Sequence, residues 1–416
     1  MTTSEEGPVF VWAWLPGAHD PVVAGRLDRD GGIVTFTYGQ SYLAREDAIP
    51  LYEPELPLGR GPIAPLVGEI AGCIADAGPD AWGRRVILNR RVGRGATDVT
   101  DLDPLTYLIE SGSDRIGALD FQSSPTDYVA RGSDVATLDQ LLEAAELVEA
   151  GIPLPPILDQ ALLHGSSIGG ARPKALLSTD DRRFIAKFSS TTDTYPVVQA
   201  EFVAMELARR AGLDVAPVSL AEALGKRVLL VERFDRPPGG GRRPMVSALT
   251  ILGLDAYPGG RYASYADLAD TIRARFTEPL PSLRELFSRI TFNILVGNND
   301  DHARNQAAFW DGRMLTLTPA YDISPAPRGG GETRQAMAIG ADGWRYSQVA
   351  GCVERAGAYR LSAPEARAII DAQIATITGS WDEVCDLARM TEVERAHLWG
   401  RQFLNPYALY DYGGDA

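Results

Sequence analysis

The segment Asn298-Asn299-Asp300-Asp301-His302-Ala303-Arg304-Asn305 carries the residue types that phosphoryl transfer needs. That reaction uses a carboxylate to orient or deprotonate the attacking hydroxyl, and an oxygen ligand for the metal that bridges the phosphates. Asp300 and Asn305 stand five positions apart, the spacing at which one protein-kinase loop supplies both groups. Asp322 comes seventeen positions after Asn305, in Pro319-Ala320-Tyr321-Asp322-Ile323, directly behind the strand-like Met314–Leu317. A second metal-binding carboxylate belongs at such a place. Taken singly, each residue reads more readily as part of a polar turn. The Asp–Asn spacing joined to a later Asp behind a strand is what favours chemistry. His302 reads as a structural member that hydrogen-bonds the loop. A general base or zinc ligand fits less well, because the four histidines form no H-x-x-x-H pair.

Residues that could meet a nucleotide lie upstream. Gly165-Ser166-Ser167-Ile168-Gly169-Gly170-Ala171-Arg172-Pro173-Lys174 is a Gly/Ser-rich turn with basic residues at its end. Its backbone N–H groups could approach phosphate oxygens unobstructed. It is neither a Walker A sequence nor a G-x-G-x-x-G loop, and a plain turn explains it as well. Lys187, within the apolar strand Phe184–Phe188, resembles the strand lysine that contacts ATP phosphates. The plainer alternative is an edge-strand lysine facing water. Glu201, on the helix that follows, is a candidate ion-pair partner for it. Glu232-Arg233-Phe234-Asp235-Arg236 ends the strand Val228–Val231, where a kinase offers backbone groups to adenine. A charged strand exit reads almost as well.

These residues need elements to hold them. Residues 9–43 alternate apolar and polar positions around Pro21 and Gly31-Gly32, which predicts a small β-rich unit with hairpins. Asp80-Ala81-Trp82-Gly83-Arg84-Arg85-Val86-Ile87 reads as a helix start, and Thr137–Ala150 has helical spacing. Gly151-Ile152-Pro153-Leu154-Pro155-Pro156 reads as a hinge, so the chain divides into 1–150 and 151–416. Beyond the hinge, strands are expected over Phe184–Phe188 and Arg227–Glu232, and an amphipathic helix over Gln199–Arg210 stopping at Gly212. A helix is expected over Glu285–Leu295, a strand over Ala307–Trp310, and a mostly helical chain on to about Trp399.

Composition narrows the function classes. With 55 acidic against 40 basic side chains, the chain carries a net charge of −15. Proteins that grip nucleic acid unaided gain affinity by neutralising phosphates, so autonomous DNA binding is disfavoured. The three cysteines, Cys73, Cys352 and Cys385, are scattered and form no CxxC pair. They predict free thiols in a reducing compartment. The polar, acidic Met1–Gly7 is no signal peptide, and no apolar run is long enough to span a bilayer. A cytoplasmic protein is expected.

Four linked segments together resemble the HipA family: residues 166–177 (SSIGGARPKALL), 231–236 (VERFDR), 299–305 (NDDHARN) and 317–323 (LTPAYDI). They occur in the family's order and at similar separations. Pro79–Arg85 also looks like the family's N-terminal region, so the similarity runs from about residue 10 to about residue 400. The resemblance implies an α+β fold: a protein-kinase-like core of HipA type, a small β-rich N-terminal subdomain and a mostly helical C-terminal lobe. It implies an ATP- and Mg²⁺-dependent Ser/Thr kinase acting as a growth-arresting toxin. By position, Asp300 would be the catalytic aspartate, Asn305 and Asp322 the Mg²⁺ ligands, and Lys187 a phosphate contact. Ser167, Gly169, Gly170 and Lys174 would line the phosphate loop, with Ser167 its autophosphorylated serine. Glu232 and Phe234 would lie at the adenine pocket. Expected partners are a small HipB-like helix-turn-helix antitoxin, DNA only through that antitoxin, and a protein substrate such as an aminoacyl-tRNA synthetase. Two departures are visible: Arg172-Pro173 in the phosphate loop, and Asp301 where some members carry a small residue. A small-molecule phosphotransferase and a catalytically idle corepressor are the alternative readings.

Overall fold

The computed structural model describes residues 7–93, 102–132, 136–163, 170–179, 182–255, 259–326 and 331–413. They form two compact units. One holds residues 1–192, 221–246 and 309–313; the other holds 193–220, 247–308 and 314–416.

The first unit contains two sheets. Strands β1 (Val9–Ala13), β2 (Val22–Asp30), β3 (Ile33–Tyr38), β4 (Pro62–Ile63) and β5 (Leu119–Gln122) form an antiparallel sheet in the order β4-β3-β2-β1-β5. A two-residue loop joins β2 to β3, with Asp30 paired to Ile33 and Gly31 at φ 61°, a conformation that favours glycine. The expected N-terminal hairpins are therefore present. The second sheet runs β6-β7-β9-β8 through β6 (Lys174–Ser178), β7 (Arg183–Lys187), β8 (Val218–Ala223) and β9 (Lys226–Glu232).

Helices α1 (Gln40–Leu43), α2 (Gly72–Ala75), α3 (Ala81–Gly93), α4 (Pro104–Glu110), α5 (Leu138–Glu149) and α6 (Pro156–Leu163) complete this unit. Helix α5 begins at a capping box, in which the Thr137 hydroxyl accepts from the Gln140 backbone and the Gln140 side chain accepts from the Thr137 N–H. Its buried Leu141, Leu142, Ala145 and Val148 join Trp82 and Val86 of α3 and Ala175, Ala186 and Val228 of the second sheet in one apolar core. Because that core spans both sides of Gly151–Pro156, the compact units do not divide at residue 150. The Pro-rich stretch is instead a short connection between α5 and α6.

The second unit is mainly helical: α7 (Val197–Arg210), α8 (Ala248–Ile251), α9 (Tyr265–Arg275), α10 (Pro279–Leu295), α11 (Val349–Glu354), α12 (Ala363–Leu387) and α13 (Glu392–Leu398). Helix α10 packs on α9 and α12, and α12 on α7. Helix α7 stops where Leu213 N–H bonds back to Ala208 O and Gly212 takes φ 84°. Strands β10 (Met245–Ser247), β11 (Ala307–Trp310) and β12 (Leu315–Leu317) form a short three-stranded sheet. One expectation needs correction. The described residues between Leu295 and Val349 contain no helix, so beyond α10 the chain is helical only from Val349 onward. That stretch is rich in glycine and proline, which leave helix propensity low. Among the described residues no helix is long and apolar enough to cross a membrane, and all three cysteines are buried free thiols.

Candidate active site

In the second unit, α10 delivers the chain directly into the Asp300 loop. Exposure alternates along it: Asp300, His302 and Arg304 are exposed, while Asp301, Ala303 and Asn305 are buried. The alternation has a physical cause, which is a polar anchor beneath the loop. The Asp301 carboxylate, 2% exposed, accepts hydrogen bonds from the Tyr265 hydroxyl, from Asn293 Nδ2 at 2.8 Å and from Gln306 Nε2 at 3.0 Å. Gln306 meets Arg289, whose guanidinium also bonds Glu285 at 2.7 Å and Thr318 O at 2.8 Å. Burial holds the Asp301 carboxyl above the usual carboxylate range, against the opposing pull of the Tyr265 and Gln306 donors. The residue noted in the sequence only as a departure is thus the point on which the loop is built.

Above this anchor the loop closes on itself. His302 N–H donates to Asp300 O at 2.8 Å, and Asn305 N–H donates to His302 O at 2.8 Å. The loop-holding bonds of His302 come from its backbone; its side chain is exposed. Asn305 Nδ2 donates to Asp300 O at 3.4 Å. Among the described residues its amide oxygen accepts no hydrogen bond, which leaves it available to a cation. Asp322 is half-buried and takes φ 59°, a left-handed conformation costing an L-residue about 1 kcal/mol or more. An amide oxygen and a carboxylate are hard donors suited to Mg²⁺. No cluster of three or more His, Cys, Asp or Glu able to hold a metal occurs among the described residues. Phosphate oxygens and water would have to complete such a ligand set. Glu201, 3% exposed on α7, also belongs to this unit.

In the first unit, β7 lies between β6 and β9, so Lys187 sits on an inner strand and the edge-strand alternative does not hold. Lys187 is paired directly with Lys174 across the antiparallel β6/β7 ladder. Opposed residues of such a ladder share a face. Side chains along β7 alternate, with Phe184 and Ala186 buried in the core and Ile185 and Lys187 on the other face. Lys174 is 5% exposed, and its ammonium lies against Gly170, at the point where a Cβ there would come within 1.9 Å. Gly170 has φ 106°, a backbone conformation that favours glycine, and a Cβ there would displace the Lys174 ammonium. Trp82 fixes both ends of this turn: its backbone N–H donates to Gly170 O at 3.0 Å and its indole N–H to Lys174 O at 2.8 Å. The sequence showed Trp82 only as part of a helix start. Ser167 and Gly169 lie outside the described residues.

Glu232 ends β9 and meets the exposed Arg182 at 3.5 Å, while Phe234 packs edge-on against Phe309 at 5.9 Å between centroids. Between them the chain carries a network that the sequence did not reveal. Arg233 bonds Asp235 at 2.7 Å and Asp114 at 2.9 Å, and Arg236 bonds Asp114 at 2.7 Å and Asp235 at 2.9 Å. Burial opposes ionisation of both aspartates, yet the surrounding arginines hold both below the usual carboxylate range. A regular Arg-x-Asp-Arg pattern was visible, but its partner Asp114 is more than a hundred residues away.

The first unit thus holds a lysine-bearing sheet beside a tight glycine turn, and the second an Asp-x-x-x-x-Asn loop followed by a strand and a further Asp. Residues 18–122 match the HipA N-terminal domain and residues 166–381 the HipA-like C-terminal domain, and the chain belongs to the HipA family. It is 26% identical over 366 residues to Y4mE of Sinorhizobium fredii, a protein provisionally named a kinase, covering 78% of this chain and 83% of the relative. It is 27% identical over 183 residues to the serine/threonine-protein kinase toxin HipA of Shewanella oneidensis, covering 38% and 42%. The fold matches the solved Shewanella oneidensis complex of HipA, HipB and operator DNA with a TM-score of 0.70, at 20% identity and 93% coverage of each chain.

Proposed function

We propose that this chain is an ATP-dependent Ser/Thr protein kinase that acts as the toxin of a toxin–antitoxin pair. The observation that carries the reading is the catalytic loop: Asp300 exposed, Asn305 with an uncommitted amide oxygen, and both set by the buried Asp301 anchor. Asp300 accepts a hydrogen bond from the substrate hydroxyl and aligns it for in-line attack. Asn305 and Asp322 are the residues that would hold Mg²⁺, which when bound offsets charge on the β- and γ-phosphates. Lys187 and Lys174 contact the phosphates, and Ser167, Gly169 and Gly170 are the further residues assigned to nucleotide binding. Glu232 and Phe234 belong to the segment that receives adenine. The rate gain comes from positioning and electrostatics, since phosphoryl transfer asks little covalent chemistry of the protein.

The substrate is a protein hydroxyl, in the toxin reading one on a translation factor such as an aminoacyl-tRNA synthetase, and Ser167 is a second acceptor. A HipB-like helix-turn-helix protein is the inferred antitoxin, in line with the Shewanella complex. The net charge of −15 supports DNA contact through that partner, not through this chain. The test is induced expression in bacteria. Wild type arrests growth and Asp300→Ala does not; equal arrest by both would remove the catalytic basis of toxicity.

A further inference from the structure

Asp322 stands in a backbone conformation that it does not hold by preference, at φ 59°. The side chain before it and its own carbonyl are both tied to the loop that carries Asp300 and Asn305. On the N-terminal side, the Tyr321 hydroxyl donates to Arg304 O at 2.7 Å, next to Asn305. On the C-terminal side, Asp322 O accepts from Asn298 Nδ2 at 3.4 Å. Asn298 is itself 2% exposed, and its Nδ2 also donates to Asn293 Oδ1 at 3.0 Å. Asn293 Nδ2 in turn donates to the Asp301 carboxylate at 2.8 Å. A chain of side-chain amides thus runs from the loop's buried anchor to the Asp322 carbonyl. Ala326 N–H donates to Gly297 O at 3.0 Å and docks the following residues along the same path. Gly297 has φ 72°, and a Cβ there would come within 2.8 Å of Gln402 O, so the close approach depends on glycine.

We propose that Asn298 and Tyr321 are positioning residues that clamp the backbone of Asp322 to the catalytic loop and so set how tightly its carboxylate holds Mg²⁺. The proposal rests on the reading of Asp322 as a metal ligand. Groups that orient a ligand without touching the metal commonly change its affinity ten- to a hundredfold when removed. Neither side chain would touch the reacting atoms. Their effect appears in metal affinity, leaving contact with the nucleotide base unchanged.

The experiment uses the full chain and measures binding of a fluorescent ATP analogue by anisotropy while Mg²⁺ is titrated. Tyr321→Phe removes one hydroxyl at a partly exposed position. Asn298→Asp keeps the side chain's shape and removes both donated hydrogen bonds. The Mg²⁺ midpoint is expected to rise about tenfold or more in Asn298→Asp and severalfold in Tyr321→Phe. Metal-free nucleotide affinity stays the same in both, and the thermal midpoint of Tyr321→Phe stays at the wild-type value. If Asn298→Asp does not fold, Tyr321→Phe decides the matter. A wild-type Mg²⁺ midpoint in Tyr321→Phe overturns the clamp while leaving Asp322 a metal ligand. Wild-type binding that ignores Mg²⁺ overturns the metal-ligand reading, and the clamp with it.

Discussion

The Tyr265 hydroxyl donates its hydrogen bond to the carboxylate of Asp301, thirty-six residues further along the chain and one residue beyond Asp300. The start of helix α9 is thereby tied to the Asp300 loop. Replacing Asp301 with Ala leaves Tyr265, Asn293 and Gln306 donors buried without their acceptor. The variant is expected to lose about 3 kcal/mol of stability in urea unfolding, because buried donors that lose a charged partner bear most of their desolvation cost. A loss below about 0.5 kcal/mol would show that the anchor is dispensable.

Much of this site could be read from the chain, and the unread parts share one property. The Asp300–Asn305 spacing, the strand before Asp322, helix α7 with its stop at Gly212 and the hairpins around Gly31 all depend on neighbours within a few turns or one strand. Asp301 did not declare itself, because two of its partners, Asn293 and Tyr265, lie eight and thirty-six residues away. The inner position of Lys187 depends on β6 and β9 flanking β7, and strand order is not a local property. The continuity of the apolar core across Gly151–Pro156 joins α5 to strands further along the chain, which no local pattern shows.

The Arg233–Asp235–Arg236–Asp114 network predicts a particular acid response. Asp235 has its folded-state pKa depressed by Arg233 and Arg236 despite burial. Its contribution to stability is therefore complete above the unfolded carboxylate value of about 3.9, and is lost as pH falls through the lower folded value. Asp235→Asn should be several kcal/mol less stable than wild type near neutral pH, since it leaves buried arginines short of a partner. That gap should narrow steadily below about pH 4. Denaturation midpoints of both proteins across pH check this; a gap that widens in acid would reverse the assignment.

Gly170 faces the Lys174 ammonium at φ 106°. Gly170→Ala forces both a strained backbone and a displaced lysine, so it should weaken ATP binding about tenfold or more while costing about 1–2 kcal/mol of stability. Isothermal titration with ATP reads the first effect and urea unfolding the second. Unchanged affinity would detach Lys174 from the nucleotide.

Lys187 carries a sharper consequence for the rate. Lys187→Met keeps the length of the strand side chain but removes its charge, and is expected to lower kcat/KM for ATP roughly a hundredfold or more. Lys187→Arg should restore little, because a planar guanidinium does not replace a compact ammonium in a fitted site. Near-wild-type turnover in the methionine variant would place the phosphate contact elsewhere.

Phosphoryl transfer by the Asp300 loop is tested by intact-mass spectrometry after incubation with Mg·ATP, with Asp300→Ala alongside. Wild type is expected to gain one phosphoryl group that peptide mapping places on Ser167, and Asp300→Ala, folded because the residue is exposed, to gain none. A wild-type sample that binds ATP, starts unphosphorylated and gains no mass would contradict self-phosphorylation. Equal gain in Asp300→Ala would contradict the role given to Asp300.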